Sequence, residues 1–375
     1  MQVNNLTLFG NSVTFKSKTN KTTTKTDFKN IDLNSNPISS LNKSQISFCA
    51  NGQSRRIEKL QQELRKSQRI EKLKQELKAE LKEATENGNY VPILNKFGIQ
   101  VEIDKDNLLI IDNFDTRNFD RVSLGELGID EDELFQQIKE ISGNADFWYS
   151  TATNLGRLEK IGGNASFAFS KVESLNKLKE IGGDANFISS RVVDLGALQT
   201  IGKYACFKGS LIQSLGNLQT IQGDANFERS MVIDMGNLQS IGGYANFEYS
   251  LMKDLKNLQS IGDGANFKYS SIINLGALCS IGGNVDFWGS NMENLGNLET
   301  IGGHATFQNS KIKDISKLRT VGGDATFDDA NIKNIGKLKS INGKIYFAWQ
   351  QFDDVLYKIK RFANLFNPLN YIRHN

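Results

Sequence analysis

The sequence predicts a mainly β protein, a parallel β-solenoid of about eleven 20-residue coils with helical caps and an N-terminal helical arm. Two observations carry this prediction. A 20-residue unit recurs without a slip from Leu155 onward, and its Ala-x-Phe segment alternates apolar and polar residues with the period of two that is typical of a strand. Because one such unit cannot bury its own apolar face, the units must stack on one another.

Apolar residues recur at fixed positions of the unit, which we number from 1 at Leu155. Position 1 is Leu, Met or Ile, position 4 is Leu, position 7 is Ile with one Val321, and position 13 is Phe from Phe167 to Phe347. An incomplete copy over 141–150 precedes the first full unit. We expect these positions to form interior ladders, with neighbouring coils about 4.8 Å apart.

Small residues recur at two further places. The Gly pair at positions 8 and 9, such as Gly162 and Gly163, predicts a corner that needs positive φ or a close approach of the coils. Ser occupies position 16 from Ser150 to Ser310, and we expect its hydroxyls to satisfy backbone groups in a turn.

The pattern L-x-x-L-x-x-I-G-G-x-A-x-F-x-x-S-x-I, over roughly residues 141–350, resembles leucine-rich repeats. Its L-x-x-I-G-G turn is similar to the coils of receptor L domains. The chain departs from the standard leucine-rich pattern, because it has no L-x-L-x-x-N-x-L core. The resemblance implies recognition through a strand-lined face, with no catalytic activity, and it leaves open whether each coil closes as a horseshoe or as a β-helix.

Two segments come first in the chain. Residues 1–53 are rich in Asn, Ser, Thr and Lys without a hydrophobic period, which predicts a disordered tail. Residues 54–86 contain a 13-residue repeat, SRRIEKLQQELRK followed by SQRIEKLKQELKA, which predicts a charged amphipathic helix. Because a 13-residue step rotates the apolar stripe by about 220°, the helix either breaks near Ser67 or presents two faces. Oligomerisation or docking as a coiled coil and packing back on the solenoid are equal hypotheses for it.

Both ends of a solenoid need caps, since an open end exposes the core and unpaired strand groups. Residues 87–140 contain twelve Asp or Glu against five Lys or Arg, and we expect them to form an acidic N-terminal cap, with a capping-box helix start from Asp130 to Glu133. The repeat solenoid follows over 141–350. Residues 351–375, with apolar residues at helical spacing from Phe352 to Phe366, predict a C-terminal cap helix and tail.

Composition restricts the function classes. The net charge of +3 is too small to indicate nucleic acid. Cys49, Cys206 and Cys279 lie far apart and the chain has two histidines, so we expect no metal, no cofactor and no His-based catalytic site. Without a signal-peptide pattern or a long apolar run, we expect a soluble cytoplasmic protein that does not enter membranes, and non-classical export stays open.

The outward positions of the strand, 10, 12 and 14, are the expected binding surface, because solenoids bind through variable outward residues. Aromatic residues also recur at position 15, as Phe169, Tyr249 and Tyr269. The candidate partner-binding residues, which are aromatic or charged, are Tyr204, Lys208, Glu228, Tyr244, Glu248, Lys268, Trp288 and His304.

A protein partner is the expected ligand, because exposed Tyr and Trp are typical of interface hot spots. The alternative is a lectin-like face, on which aromatic rings stack on sugars and the Asn residues of position 12 supply hydrogen bonds. Those Asn side chains can instead pair with one another along the strands. An enzymatic hypothesis is weaker: Glu228 and Glu248 lie one coil apart, near the separation used by retaining glycosidases, yet Lys208 and Lys268 flank them.

Overall fold

The computed structural model of the chain describes residues 54–115, 124–330, 332–347 and 371–373. The tail expected over 1–53 and most of the C-terminal cap expected over 351–375 lie outside the described residues. The chain divides into two units, Met1–Lys72 and Leu73–Asn375, and every contact discussed below lies within the second unit.

The described helices all precede the first full repeat. They are α1 (Ser54–Asn87), α2 (Val91–Lys96), a 3-10 turn (Gly125–Leu127) and α3 (Glu131–Phe135). Helix α1 continues through Ser67, so its two apolar stripes occupy different faces. Leu60 and Leu64 of the first stripe are exposed, whereas Leu77 and Ala84 of the second half are buried.

Within the repeats, the strands of the first sheet lie at positions 6 and 7. Its thirteen strands, in hydrogen-bonded order, are β1 (Val101–Ile103), β2 (Leu109–Ile111), β4 (Ile138–Ile141), β6 (Lys160–Ile161), β8 (Glu180–Ile181), β10 (Thr200–Ile201), β12 (Thr220–Ile221), β14 (Ser240–Ile241), β16 (Ser260–Ile261), β18 (Ser280–Ile281), β20 (Thr300–Ile301), β22 (Thr320–Val321) and β24 (Ser340–Ile341).

Within the repeats, the strands of the second sheet lie at positions 11 and 12. Its thirteen strands are β3 (Phe114–Asp115), β5 (Ala145–Asp146), β7 (Ala165–Ser166), β9 (Ala185–Asn186), β11 (Ala205–Cys206), β13 (Ala225–Asn226), β15 (Ala245–Asn246), β17 (Ala265–Asn266), β19 (Val285–Asp286), β21 (Ala305–Thr306), β23 (Ala325–Thr326), β25 (Ile345–Phe347) and β26 (Tyr371–Arg373).

Both sheets are parallel within the repeats, and each strand pairs with the strand twenty residues away. Ala225 stands opposite Ala245, for example, so identical positions of the repeat stack. A third side of the coil is joined by single bridges at position 20 and by backbone hydrogen bonds such as Ile233 N to Gln213 O, 2.9 Å. The predicted mainly β, parallel solenoid is confirmed, and each coil is of the β-helix type, with strands on two sides and a bridged third side.

The interior ladders occupy the predicted positions. Residues at positions 1, 4, 7 and 13 are buried along the stack, and so are those at position 18, from Val172 to Ile332. From Phe147 to Phe327 the rings of position 13 stack with centroids 4.9–5.5 Å apart. Phe114 and Phe135 add two rings at the N-terminal end of this stack. The core is therefore continuous from the cap into the repeats.

The Gly pair marks close approach rather than positive φ. A Cβ on Gly182 would meet the carbonyl oxygen of Gly162 in the preceding coil. The positive φ values fall instead at position 2, as in Gly236, and at position 15. The serine expectation holds in part: Ser170 and Ser310 donate to Phe carbonyls three residues earlier, at 2.8 and 2.7 Å. Six hydroxyls between them are buried without a hydrogen-bond partner, namely those of Ser190, Ser210, Ser230, Ser250, Ser270 and Ser290.

The N-terminal cap closes the third side with buried carboxylate oxygens. Helix α3 begins at Asp130, whose side chain accepts from the Glu133 amide at 3.1 Å, as the capping box predicts. The helix ends at Phe135, and Ile138–Ile141 forms a strand of the first sheet.

Glu131 lies at the centre of this cap and is 1% exposed. Its carboxylate accepts from the amides of Gly125, Thr151 and Ala152 at 2.9, 3.1 and 3.3 Å, and also from the Ser150 hydroxyl. In later coils the amide equivalent to that of Thr151 can donate to a carbonyl of the preceding coil, as Lys171 N does to Ser150 O at 3.2 Å. At the first coil, the Glu131 carboxylate supplies the acceptor for this amide.

Candidate functional site

The candidate residues lie along the outward face of the second sheet. Tyr204, Tyr244 and His304 at position 10 are exposed, whereas Glu228, Glu248, Lys268 and Trp288 at position 14 are half-buried. Lys208, also at position 14, is exposed, and the chain turns a corner directly after this position, at position 15. The face therefore exposes its aromatic residues at its two margins.

Most charges on this face are paired with a neighbouring coil. Lys208 Nζ lies 2.8 Å from a Glu228 oxygen, and Lys268 Nζ lies 2.9 Å from an Asp286 oxygen. The bond to Asp286 raises the pKa of Lys268. Glu248 accepts from the Asn266 side chain at 3.1 Å. Both glutamates of the enzymatic hypothesis are thus held by side chains of neighbouring coils.

The side-chain oxygens of the Asn residues at position 12 accept hydrogen bonds within their own coil. The Asn226, Asn246 and Asn266 side-chain oxygens accept from the backbone amide two residues later, at 2.9, 3.1 and 3.0 Å. Pairing of Asn with Asn along the strands, the expected structural role, is not the contact observed for these oxygens. They stabilise the turn that follows the strand, and the Asn266 side-chain nitrogen is itself bound to Glu248.

Position 10 forms a second ladder that links successive coils. Asp184 and Asp224 accept from the amides of Tyr204 and Tyr244, at 3.0 and 2.7 Å. His304 takes the same role, because its Nδ1 accepts from the Asp324 amide at 2.9 Å.

The two tyrosines of that ladder lie partly against the sheet. Burial and a hydrogen bond with Cys206 raise the pKa of Tyr204 to about 12. Burial also raises the pKa of Tyr244, with a smaller contribution from the charge of Asp286. Each ring is 38% exposed. Both side chains are neutral, and each presents a flat, half-exposed aromatic surface.

Sequence reasoning did not identify that the half-buried candidate Trp288 continues a stack of exposed side chains at the corner. We call it the corner ladder: Arg229, Tyr249, Tyr269 and Trp288. Tyr249 and Tyr269 stack with ring centroids 5.1 Å apart and planes 13° apart. The Arg229 guanidinium lies 5.1 Å from the Tyr249 centroid, and the Trp288 ring meets Tyr269 edge-on at 4.8 Å. Both tyrosines are 41% exposed.

The backbone beneath the corner ladder disfavours such residues. Position 15 has positive φ throughout, 50° at Arg229, 55° at Tyr249 and 51° at Tyr269. A residue with a Cβ costs roughly 1–2 kcal/mol there relative to glycine. Gly209 and Gly289 show that the solenoid accepts glycine at this position. Aromatic residues therefore occupy the corner against the backbone preference.

A second aromatic cluster lies at the N-terminal coils. Trp148 stacks on Tyr149 with centroids 5.4 Å apart and lies 6.0 Å from the Phe169 ring. Tyr149 and Phe169 are more than half exposed. The next coil carries Ser189 at position 15, so no ring covers Phe169 from that direction.

A cleft of about 460 Å³ lies on another side of the solenoid. The residues that line it are Ala277, Cys279, Asn297, Glu299, Lys317, Arg319 and Lys337. Arg319 pairs with Glu299 at 3.1 Å, whereas Lys317 donates to the neutral Asn297 side chain at 2.7 Å and keeps its charge.

The part of the chain that the structure describes contains neither a metal-binding cluster nor a membrane-spanning helix. No group of three His, Cys, Asp or Glu side chains there could hold a metal ion. No helix there is long and apolar enough to cross a membrane. In comparisons with known proteins, no family model, no curated protein and no solved structure matches the chain.

Proposed function

We propose that the chain is a non-enzymatic protein-binding solenoid, whose partner contacts the corner ladder and the adjoining face of the second sheet. The observation that carries this proposal is the presence of stacked, exposed aromatic residues at a backbone position that favours glycine. A residue that is exposed and unfavourable for the fold is best accounted for by binding.

The geometry of the rings favours protein over sugar at this corner. Tyr249 is covered by Tyr269 on one face and by the Arg229 guanidinium on the side of the preceding coil. Sugar rings bind aromatic residues by stacking on an open face, which these tyrosines do not present. They present ring edges, phenol hydroxyls and a guanidinium, which are typical hot-spot groups of protein interfaces.

The resemblance to leucine-rich repeats and receptor L-domain coils supports the same proposal, since that resemblance implies recognition through a strand-lined face. Tyr204, Tyr244 and Trp288 extend the surface across the sheet, and Lys208, Glu228, Glu248, Lys268 and His304 form its polar part. A hydrophobic centre with a paired, charged rim matches the anatomy of protein interfaces.

Carbohydrate binding is the second candidate, and one observation favours it at a different place. The Phe169 ring is 56% exposed and has a serine at the equivalent position of the next coil, so one of its faces is open to stack on a sugar. The two candidate functions therefore separate onto two aromatic clusters of the same solenoid.

The test uses the full chain as bait against lysate of the cells that express it, and in parallel against a glycan array. A captured protein is identified, purified and titrated against Tyr249→Ala/Tyr269→Ala and, as the matched control, Phe169→Ala. We expect the double variant to weaken binding at least tenfold and the control to leave it within twofold.

Equal binding by wild type and the double variant would contradict the corner ladder as the site. Glycan capture that is lost in Phe169→Ala, with no protein captured, would replace the proposal with the carbohydrate-binding function.

A further inference from the structure

The third side of the solenoid carries exposed aliphatic residues in its middle coils. They lie at positions 17 and 19, which flank the buried position 18 and therefore point outward. We call them the third-side patch: Val193, Leu211, Met231, Ile233, Leu251 and Ile273.

The patch is large and rigid. Its members are 43–54% exposed, which amounts to on the order of 500 Å² of surface, near the upper end for patches on monomeric proteins. Backbone hydrogen bonds between coils hold it, such as Val193 N to Glu173 O at 2.9 Å and Ile273 N to Lys253 O at 3.0 Å. Charged residues replace the aliphatic ones beyond it, as at Lys171 and Lys313, so the patch has a polar rim.

The residues of the patch are arranged symmetrically about one coil. Position 17 reads Arg191, Leu211, Met231, Leu251 and Ser271 along the stack. Position 19 reads Val193, Gln213, Ile233, Lys253 and Ile273. Each series has polar residues and apolar residues at equal distances on both sides of the coil that contains Met231 and Ile233. A surface that is symmetric in this way is complementary to itself.

We infer that the third-side patch is the interface of an antiparallel homodimer, with a two-fold axis at Met231 and Ile233. An isologous contact places the same surface on both copies. With the coil order reversed, Met231 meets Met231 of the second copy, and Leu211 meets Leu251 of the second copy. Val193 likewise meets Ile273, and the polar residues Gln213 and Lys253 meet each other.

The alternative parallel pairing fits less well. A two-fold axis along the stack would place position 17 against position 19 of the same coil, so that Leu211 meets Gln213 and Leu251 meets Lys253. Apolar side chains would then be buried against polar ones on both sides of the centre, which costs free energy. In the antiparallel pairing the first mismatch is Glu173 against Glu293 of the second copy, about 14 Å from the axis.

The association state of the full chain, measured by sedimentation between 1 and 100 µM, tests this inference independently of any other partner. We expect a dimer for wild type and for Gln219→Lys, an exposed position on another side of the Met231 coil. Met231→Lys and Met231→Asp should each be monomeric, because the new charge meets its own copy. Mixing these two variants should restore the dimer, since opposite charges then meet.

Two further variants distinguish the competing arrangements. Glu173→Lys should tighten the dimer severalfold, because the new lysine meets Glu293 of the second copy; in the parallel pairing it would meet Lys171 and weaken the dimer. Leu60→Glu/Leu64→Glu in helix α1 should leave the dimer intact.

A wild-type monomer at 100 µM would overturn the inference and leave the patch to a different protein. A dimer that survives Met231→Lys but is lost in Leu60→Glu/Leu64→Glu would overturn it in favour of helix α1. Failure of the two charged variants to associate when mixed would overturn the antiparallel register.

Discussion

Two stacks of aromatic rings run along the coils at nearly the same spacing. The inner stack places Phe in every coil from Phe147 to Phe327, buried, with centroids 4.9–5.5 Å apart. The outer stack of Tyr249 and Tyr269 has its rings 5.1 Å apart but is exposed and spans only part of the solenoid. An in-register repeat therefore makes aromatic residues stack wherever they occur in successive coils, and burial decides whether the fold requires them.

The largest expected effect tests this difference within one coil. Phe247→Ala should lower the free energy of unfolding by about 3–5 kcal/mol, because it leaves a cavity in a continuous ring stack. Tyr249→Ala, two residues away, should change it by less than about 1 kcal/mol. Denaturant unfolding of both variants measures the two effects. Equal losses would mean that the outer stack is also part of the folding core.

A second prediction concerns how the inner stack ends. Glu131→Ala should cost about 3 kcal/mol, because the buried Ala152 amide, the part-buried amides of Gly125 and Thr151, and the Ser150 hydroxyl lose their acceptor. Since solenoids unfold from weak coils, hydrogen exchange should increase first in residues near 150 and only later near 300. Glu102→Ala, on the exposed strand β1, is the control. Uniform exchange along the stack would show that the cap does not limit the opening of these coils.

A third prediction measures the strain beneath the outer stack. Ser189→Gly should stabilise the protein by about 0.5–1 kcal/mol, because its φ of 53° suits glycine. Tyr269→Gly relieves the same strain but removes the ring contacts with Tyr249 and Trp288, so its gain should be smaller. The difference between the two values is the contribution of the outer stack to the fold. A larger gain for Tyr269→Gly would mean that the ring contacts oppose folding.

The smallest expected effect is that of the cation at the end of the outer stack. The guanidinium of Arg229 should couple to Tyr249 by about 0.5 kcal/mol, the usual value for an exposed cation–π contact. A double-mutant cycle with Arg229→Gln and Tyr249→Ala measures the coupling. A coupling of zero would remove Arg229 from the corner ladder and confine the ladder to its three rings.

The inner stack could be predicted from the sequence because burial fixes residue type. Phe at position 13 recurs in every unit, and the Ala-x-Phe alternation shows which side faces inward. The C-terminal strand β26, which pairs with β25, had no such signal. Its three residues lie outside the repeat, and pairing at a distance in sequence leaves no local period.

The outer surfaces were less predictable because they depend on the corners of the coil. Tyr249 and Tyr269 could be recognised as recurrent aromatics, but eight of the ten position-15 residues with positive φ are not glycine, so the turn was not visible. Glu131 resembled an ordinary helix-start residue, since its amide partners come from twenty residues later. The symmetry of the third-side patch could be read only once position 18 was known to be buried.

The closed N-terminal end also limits how these molecules can add to one another. A stack of parallel coils has the strand spacing of an amyloid fibre, and an open end could template the next molecule without limit. Strand β1 reverses direction against β2, and Glu131 occupies the sites that carbonyls of a further coil would need. A parallel coil that approached this end would therefore meet a reversed strand and an amide that already has its acceptor, which opposes head-to-tail growth.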